Sequence, residues 1–354
     1  MTAFFSGVGV ILSLELRQRV RTVSWYILLG VFVGLILIVT VLLSFALNGF
    51  GSPNDGGGGV YSTIIYFVLL LGTLVAPALS GNAINGDRDA GTLATTQVTL
   101  ITTGQLIIGK FLSAWITALA FLIAAIPFLI YAAIVGQLRV STIVVSVIVL
   151  AVELGVVAAV GVGLSGLMTR PLFSIVVTYL VVAALSVGTL IAFTLGGLAL
   201  QTTAKSVSSY GTEYNADGIP TQCSTPEEYE YQTPRFDLFW GALVANPYVI
   251  LADAVPTAYD QNDQPTDLFG YFKLSARMAQ VPQSAGYESS VCVVGQPEQP
   301  SSGYSNARDI IESTTPGWAV GLATHLVLAG VLLAGAWSRT TTPAAKLSRG
   351  SRIA

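Results

Sequence analysis

The sequence is poor in charge, in histidine and in cysteine. Charged residues make up 10% of its 354 positions, whereas an ordinary soluble domain carries about 25%. One histidine and two cysteines are too few for a Cys/His metal cluster, which takes about four ligands, so we expect no such centre. The shortage of basic residues also excludes a basic nucleic-acid-binding face, and no nucleic-acid partner is expected.

Long apolar runs dominate the rest of the chain. Hydrophobic residues make up 53% of it and the mean hydropathy is +0.70, which indicates an integral membrane protein. A helix that crosses a bilayer needs about 20 mostly apolar residues. Such runs occupy residues 24–47, 60–84, 111–135, 141–168, 172–198 and 317–337. They are too long and continuous for membrane-barrel strands, so the predicted fold class is an all-α polytopic membrane protein with six transmembrane helices.

The positions of the basic residues predict the orientation, because cytoplasmic loops carry an excess of Lys and Arg. Cytoplasmic termini put ten of the 16 basic residues on the inner side, against only three acidic ones. The ten are Arg17, Arg19, Arg21, Arg88, Lys110, Arg170, Arg339, Lys346, Arg349 and Arg352. The excess of Arg over Lys favours a GC-rich bacterial source. We therefore expect a multi-pass protein of the bacterial plasma membrane, with both termini in the cytoplasm.

The predicted spans and the connections between them occupy residues 23–198 and 316–338. Three segments lie outside these ranges. Residues 1–22 carry apolar side chains at helical spacing and end in arginines, which predicts an amphipathic helix at the cytoplasmic interface. Residues 339–354 are expected to form a short basic cytoplasmic tail. Residues 199–315 are rich in Tyr, Ser, Thr, Gln, Pro and acids, and are predicted to form a large extracytoplasmic insertion between spans five and six.

The insertion holds both cysteines and one apolar stretch. An oxidising exterior favours a disulfide between Cys223 and Cys292, and two free thiols are the alternative. Residues 236–255 are unusually apolar, but Asp253 and an Asn-Pro pair make them a poor full crossing. A re-entrant or interface-lying hairpin is the expected structure of this stretch.

Two glycine-containing segments imitate nucleotide-binding motifs. Residues 104–111 fit GxxxxGK[ST] except at the last position, where Phe111 replaces the hydroxyl that would hold magnesium. Residues 161–166 spell GxGxxG, but inside the fourth span, where small residues favour close helix packing. Neither segment predicts nucleotide binding by this chain.

The connection between spans two and three, residues 85–110, carries the most specific pattern. An acidic residue precedes Gly-Thr-Leu, and a Gly-Lys pair follows at the start of the third span. This pattern, with the N-terminal amphipathic segment and the six spans, resembles the permease subunits of type 2 ABC transporters. The matching positions and their charged neighbours are Asp87, Arg88, Asp89, Gly91, Thr92, Leu93, Gly109 and Lys110. A plain solvated loop with a helix start is the alternative interpretation.

The resemblance implies an assembly of several subunits with different roles. The connection would dock in a groove on a separate ATPase, which binds ATP and Mg, while this chain binds no cofactor. Two ATPase subunits would attach to a pair of permeases, the second one identical or related, in contact with membrane lipids. The chain would not itself be an enzyme.

Two ionisable residues fall inside the predicted spans. Glu153 lies in the fourth span, where a carboxylate costs about 2.5–3.5 kcal/mol to insert. His325 lies in the sixth span. Intramembrane charges often mark a transport pathway, so both residues are pathway candidates. The alternatives are a neutral hydrogen-bonded Glu153 and a packed, hydrogen-bonded His325, and the sequence alone does not place the two residues together.

These expectations combine into one leading function and two rivals. The leading function is the permease subunit of an ATP-driven exporter that moves an amphipathic or lipid-like compound. The first rival is a mechanotransducing or sensing subunit that regulates an extracytoplasmic partner through residues 199–315. The second rival is a stand-alone membrane protein such as a channel.

Overall fold

Long apolar helices form the body of the protein. The computed structural model describes residues 2–49, 56–91, 101–216, 218–282, 287–288, 292–296 and 306–340. Within these ranges, six helices are long and apolar enough to cross a membrane, which confirms the six apolar helices predicted above. They are α2 (Val23–Gly49), α3 (Gly56–Ser80), α5 (Thr103–Val135), α6 (Val140–Leu167), the pair α7 (Pro171–Ala183) and α8 (Thr189–Ala199), and α13 (Trp318–Thr340).

Two further helices lie at one end of this bundle, called here the α4 end. They are α1 (Thr2–Val20) and the five-residue α4 (Asn85–Asp89), which follows α3. Helix α1 packs along α5, where Gly109 leaves room for Ile11. Val8 and Ile11 are buried in this contact, whereas Phe5 is exposed. Residues 199–315 leave the bundle at the opposite end, called the insertion end.

Helix α6 is the centre of the bundle and packs against α3, α5, α7, α10 (defined below) and α13. Every residue from 153 to 166 is buried. A side chain at Gly163 or Gly166 would collide with Leu332 or Ala336 of α13, with Cβ distances of 2.7 and 2.5 Å. Gly161 faces Ser80 of α3 in the same way. The glycines therefore permit close helix packing, as predicted for this segment.

The insertion contains strands, which corrects the all-α expectation. β1 (Gln201–Ser208) pairs antiparallel with β4 (Glu227–Pro234) and parallel with the short β5 (Tyr287–Glu288). β2 (Gly211–Tyr214) pairs with β3 (Pro220–Cys223). The predicted disulfide between Cys223 and Cys292 is confirmed and fastens the end of β3 to the segment after β5.

The other regular elements among the described residues of the insertion are short helices. They are α9 (Trp240–Val244), α10 (Pro247–Ala254), α11 (Leu268–Met278) and α12 (Ala307–Ser313). The apolar stretch 236–255 thus forms two helices with a break between them, and the break lies at an Asn246 N-cap followed by a proline. Helix α10 is buried at Ile250 and Leu251 and packs against α6, α11 and α13.

Candidate functional site

A buried lysine connects three elements at the α4 end. The Nζ of Lys110, in α5, lies 2.6 Å from Glu15 Oε1 of α1 and 2.7 Å from Asp87 Oδ2 of α4. The Lys110 side chain is 3% exposed, against 17% for Glu15 and 32% for Asp87. A cation removed from water is tolerated when carboxylates compensate it. We call these three residues the Lys110 cluster.

Hydrogen bonds hold α4 against the end of α6. Ser165 Oγ accepts the backbone N–H groups of Ile84 and Asn85, at 2.9 and 3.0 Å. Arg88 Nη1 donates to Asn85 Oδ1 and to the Met168 carbonyl, both at 2.9 Å. Helix α4 is therefore fixed to α6 on one side and to α5 through the Lys110 cluster on the other.

The exposed end of α4 lies beyond these contacts. Asp89 is exposed, and Gly91 follows with φ +69°, a left-handed conformation that glycine adopts without steric cost. Two further predicted coupling residues, Thr92 and Leu93, lie outside the described residues. Of the predicted coupling residues, the structure thus brings Asp87 and Lys110 into contact and leaves Asp89 exposed.

Helix α1 is also joined to its neighbours by polar bonds. Gln105 Nε2 donates to the Phe4 carbonyl at 3.1 Å, and Arg19 Nη2 donates to the Leu79 carbonyl of α3 at 3.1 Å. Burial lowers the pKa of Arg19, and the neighbouring Glu15 opposes that shift. Three elements, α1, α4 and the start of α5, therefore form one bonded unit.

The two predicted pathway residues form a pair in the bundle core. His325 Nδ1 lies 2.9 Å from Glu153 Oε2, and each side chain is 1% exposed. The other ring nitrogen of His325, Nε2, lies 2.9 Å from the Ala245 carbonyl. Because both side chains are buried in contact with each other, neither faces open space in this conformation.

Ala245 belongs to the break between α9 and α10, which bonds to a second span. Asn246 Nδ2 donates to the Ser186 carbonyl at 2.6 Å and to Thr189 Oγ1 at 2.9 Å. Ser186 lies in a π-helical turn, Ala184–Gly188, between α7 and α8. A π turn disturbs the helical hydrogen-bond ladder, and here the Asn246 amide binds one of its carbonyls.

The same break approaches α13 at a glycine. A side chain at Gly321 would collide with the Val244 carbonyl oxygen and would lie 2.7 Å from Ile250 Cγ1. We expect Gly321→Ala to lower the free energy of unfolding by about 2 kcal/mol through overpacking. Thermal unfolding measures the change, with Gly330→Ala of the same helix as the control because its Cβ would meet open space. Equal melting temperatures for the two variants would contradict this close contact.

An acidic residue of α10 joins the insertion to the start of α13. Asp253 Oδ1 accepts a bond from Arg277 Nε of α11 at 2.7 Å, and both side chains are buried. Asp253 Oδ2 accepts the backbone N–H groups of Gly317 and Trp318 at 2.8 and 3.0 Å. Nearby, Lys273 Nζ donates to the Val255 carbonyl, and burial lowers the pKa of Lys273 while Asp253 opposes the shift.

Several of these contacts were not predicted from the sequence. Glu15 counted only as one of the three inner acidic residues, Asn246 and Asp253 counted only against a full crossing by residues 236–255, and no role was predicted for Arg277. One signal was available for Asp253, because a charge in an otherwise apolar stretch needs a partner when it is buried. Nothing in the sequence pointed to Arg277 as that partner.

Among the described residues, no group of three or more His, Cys, Asp and Glu is arranged to hold a metal ion. Comparison of the chain with protein-family models and with curated proteins finds no match in either set.

Proposed function

We propose that this chain is the permease subunit of an ATP-driven exporter of the type 2 ABC transporter class. It would move an amphipathic or lipid-like compound across the bacterial plasma membrane, paired with a second permease and driven by two ATPase subunits. Six apolar helices and the pattern of residues 85–110 support the proposal. The Lys110 cluster carries it, because it makes a connecting loop, a terminal helix and a span into one unit.

A force applied at α4 would pass directly to the spans. Asp87 bonds to Lys110 of α5, while Arg88 bonds to the end of α6. Asp89 and Gly91 are exposed at the tip of α4, where a separate subunit has access. A permease that is driven by a separate subunit needs a rigid element of this kind, with an exposed end for the contact.

The segment that imitates a phosphate-binding loop supports a separate ATPase. A P-loop cradles phosphates with a glycine-rich turn that precedes its helix. Here the helix begins at Thr103, so residues 104–110 are helical throughout. The lysine of the motif is buried against two carboxylates. ATP and Mg would therefore bind to the partner, as the resemblance implies.

Copurification tests the proposal. Asp89→Arg is expected to reduce the ATPase recovered with the tagged chain from native membranes by about tenfold, because reversed charge at an interface is repelled. Its exposed position predicts normal insertion into the membrane. Glu312→Arg, an exposed acid at the insertion end, is the matched control and should recover the ATPase fully. Equal recovery with Asp89→Arg would contradict the coupling assignment, and no ATPase with the unaltered chain would favour a channel.

One observation favours a second candidate, the mechanotransducing subunit. Asp253 bonds both to Arg277 of the insertion and to the start of α13, so a movement of α13 would reach α11 directly. In that case ATP hydrolysis would reshape residues 199–315 and regulate an extracytoplasmic partner. Reconstituted vesicles separate the two candidates, since an exporter accumulates cargo on ATP addition and a transducer transports none.

A further inference from the structure

The only histidine of the chain lies in a polar cluster that export as such does not require. His325 and Glu153 are each 1% exposed, deep among apolar helices. A carbonyl oxygen accepts hydrogen bonds and never donates them. The ring nitrogen Nε2 therefore carries a proton and donates it to Ala245.

The remaining ring nitrogen sets the proton count of the pair. Nδ1 lies 2.9 and 3.2 Å from the two Glu153 oxygens, so one proton is held between them. Whether it resides on the imidazole or on the carboxyl, the net charge of the pair is zero. A second proton, or the loss of the first, would leave an uncompensated charge on side chains that are each 1% exposed, which is costly.

Other charged groups do not supply that compensation. Helices α3, α7, α8 and α9 contain no Asp, Glu, Lys, Arg or His, and Glu153 is the only one in α6. The other ionisable groups on the packed helices are committed or distant. Lys110 of α5 binds Glu15 and Asp87, Asp253 of α10 binds Arg277, and Arg339 of α13 lies 14 positions from His325 at the α4 end.

The pair contacts a segment that is not part of the six long helices. Helices α9 and α10 have five and eight residues, and their break is seated on α13 through the Ala245 carbonyl. Withdrawal of the break would remove that acceptor and admit water to the imidazole. The position of the break and the number of protons on the pair are thus linked by the hydrogen bond between His325 and Ala245.

We infer that Glu153 and His325 form a proton-binding site coupled to the seating of the α9–α10 break. In the seated state the pair keeps one proton. In the withdrawn state water replaces these contacts, and a hydrated histidine loses its proton between pH 5 and 8. The seated state therefore binds one more proton at alkaline pH, and its population relative to the withdrawn state falls about tenfold per pH unit there. At acid pH both states hold the proton and the dependence disappears.

Because the chain has one histidine, its state is directly observable. The full chain, purified without a histidine tag and labelled with ¹⁵N-histidine, is placed in lipid nanodiscs. Ring nitrogen shifts from pH 5.5 to 8.5 report the charge and tautomer of His325. Hydrogen exchange of residues 240–254, normalised to the intrinsic exchange rate, reports the seating of the break. We expect protection to fall with pH, along with the change in the histidine signal.

Glu153→Gln separates a proton site from a purely structural bond. A glutamine amide still donates to Nδ1 of a neutral His325, so both hydrogen bonds remain while the shared proton is gone. The seated state of this variant holds a neutral His325, whereas the hydrated histidine of the withdrawn state gains a proton between pH 8 and 5. We therefore expect its protection to rise with pH at acid pH and to stay constant at alkaline pH, where that of the unaltered chain falls. The matched control Glu312→Gln should behave as the unaltered chain. His325→Gln is the second variant, with an amide available to Ala245. Because the imidazole that gains the proton in the withdrawn state is gone, its profile should lack the disappearance of the dependence at acid pH that the unaltered chain shows. Protection that is constant with pH in the unaltered chain, or equally pH-dependent in Glu153→Gln, would overturn the inference.

Discussion

Replacing Asp253 with alanine is expected to lower the free energy of unfolding by about 4 kcal/mol, because a buried charge loses its partner. The Arg277 side chain is 6% exposed and would keep only its bonds to Thr314. The N–H groups of Gly317 and Trp318 would lose their acceptor as well. One substitution therefore removes both the compensation of a charge and the cap of α13.

Thermal unfolding in nanodiscs measures the loss, and hydrogen exchange of residues 317–325 shows whether the start of α13 is released. Glu228→Ala is the matched control, since it breaks an ion pair with Lys205 in which both side chains are more than half exposed. Such exposed pairs contribute little, so no shift is expected. Asp253→Asn keeps an acceptor for α13 without the charge and should lie between the two. Equal melting temperatures for Asp253→Ala and the control would contradict the assigned role.

The same variant bears on the choice between export and signalling. If residues 199–315 pass movement to a partner, loosening the Asp253 contact should abolish partner activation while ATP hydrolysis continues. If the chain is an exporter, cargo movement should decline with the stability of α13 instead. The bond geometry at Asp253 makes this a sharper probe than deletion of the insertion, because the rest of the insertion is left intact.

The six long helices were predictable because an apolar run of about 20 residues is a property of composition alone. The ends of these helices were less predictable. The third span was predicted to begin at residue 111, whereas α5 begins at Thr103. There Thr102 and Gln105 cap the helix reciprocally, and this polar turn extends it beyond the apolar run. Hydropathy does not detect such an extension.

The strands of the insertion were missed for a different reason. A half-buried strand shows alternating apolar and polar residues, but six of the eight residues of β4 are exposed and polar or aromatic on both faces. The pattern that would have indicated a strand is therefore absent. Helix α11 did carry a signal, because Asp267 immediately precedes it and caps it through Gly270.

The side-chain pairs of the candidate site depend on which helix faces meet. Glu153 and His325 are separated by 172 positions, and Lys110 and Glu15 by 95. From a single sequence one can infer that a buried charge needs a partner, but not which residue lies close enough to be that partner. Glycines influence which helix faces meet, because Gly163 and Gly166 allow α13 to approach α6 closely. Residues without a side chain thus help to determine which candidate functional side chains come together.

Replacing Lys110 with methionine is expected to lower the free energy of unfolding by about 3 kcal/mol and to uncouple α4 from α1 and α5. Removing one member of a buried pair typically costs 3–5 kcal/mol, and the lower value applies because Asp87 is 32% exposed and partly hydrated. Methionine preserves most of the side-chain volume, so the change tests the charge. Glu15 and Asp87 would then stand close together without a cation and repel each other.

Lys205→Met is the matched control, because Lys205 also binds two carboxylates, Glu228 and Glu230, but on an exposed surface. It should leave the melting temperature unchanged. Thermal unfolding and, for the proposed exporter, ATP-dependent transport are measured together for both variants. Adding Glu15→Gln to Lys110→Met should restore part of the stability by relieving the repulsion, but not the transport, because α1, α4 and α5 would still lack their common bond. Full transport by Lys110→Met would contradict the proposed coupling role of the Lys110 cluster.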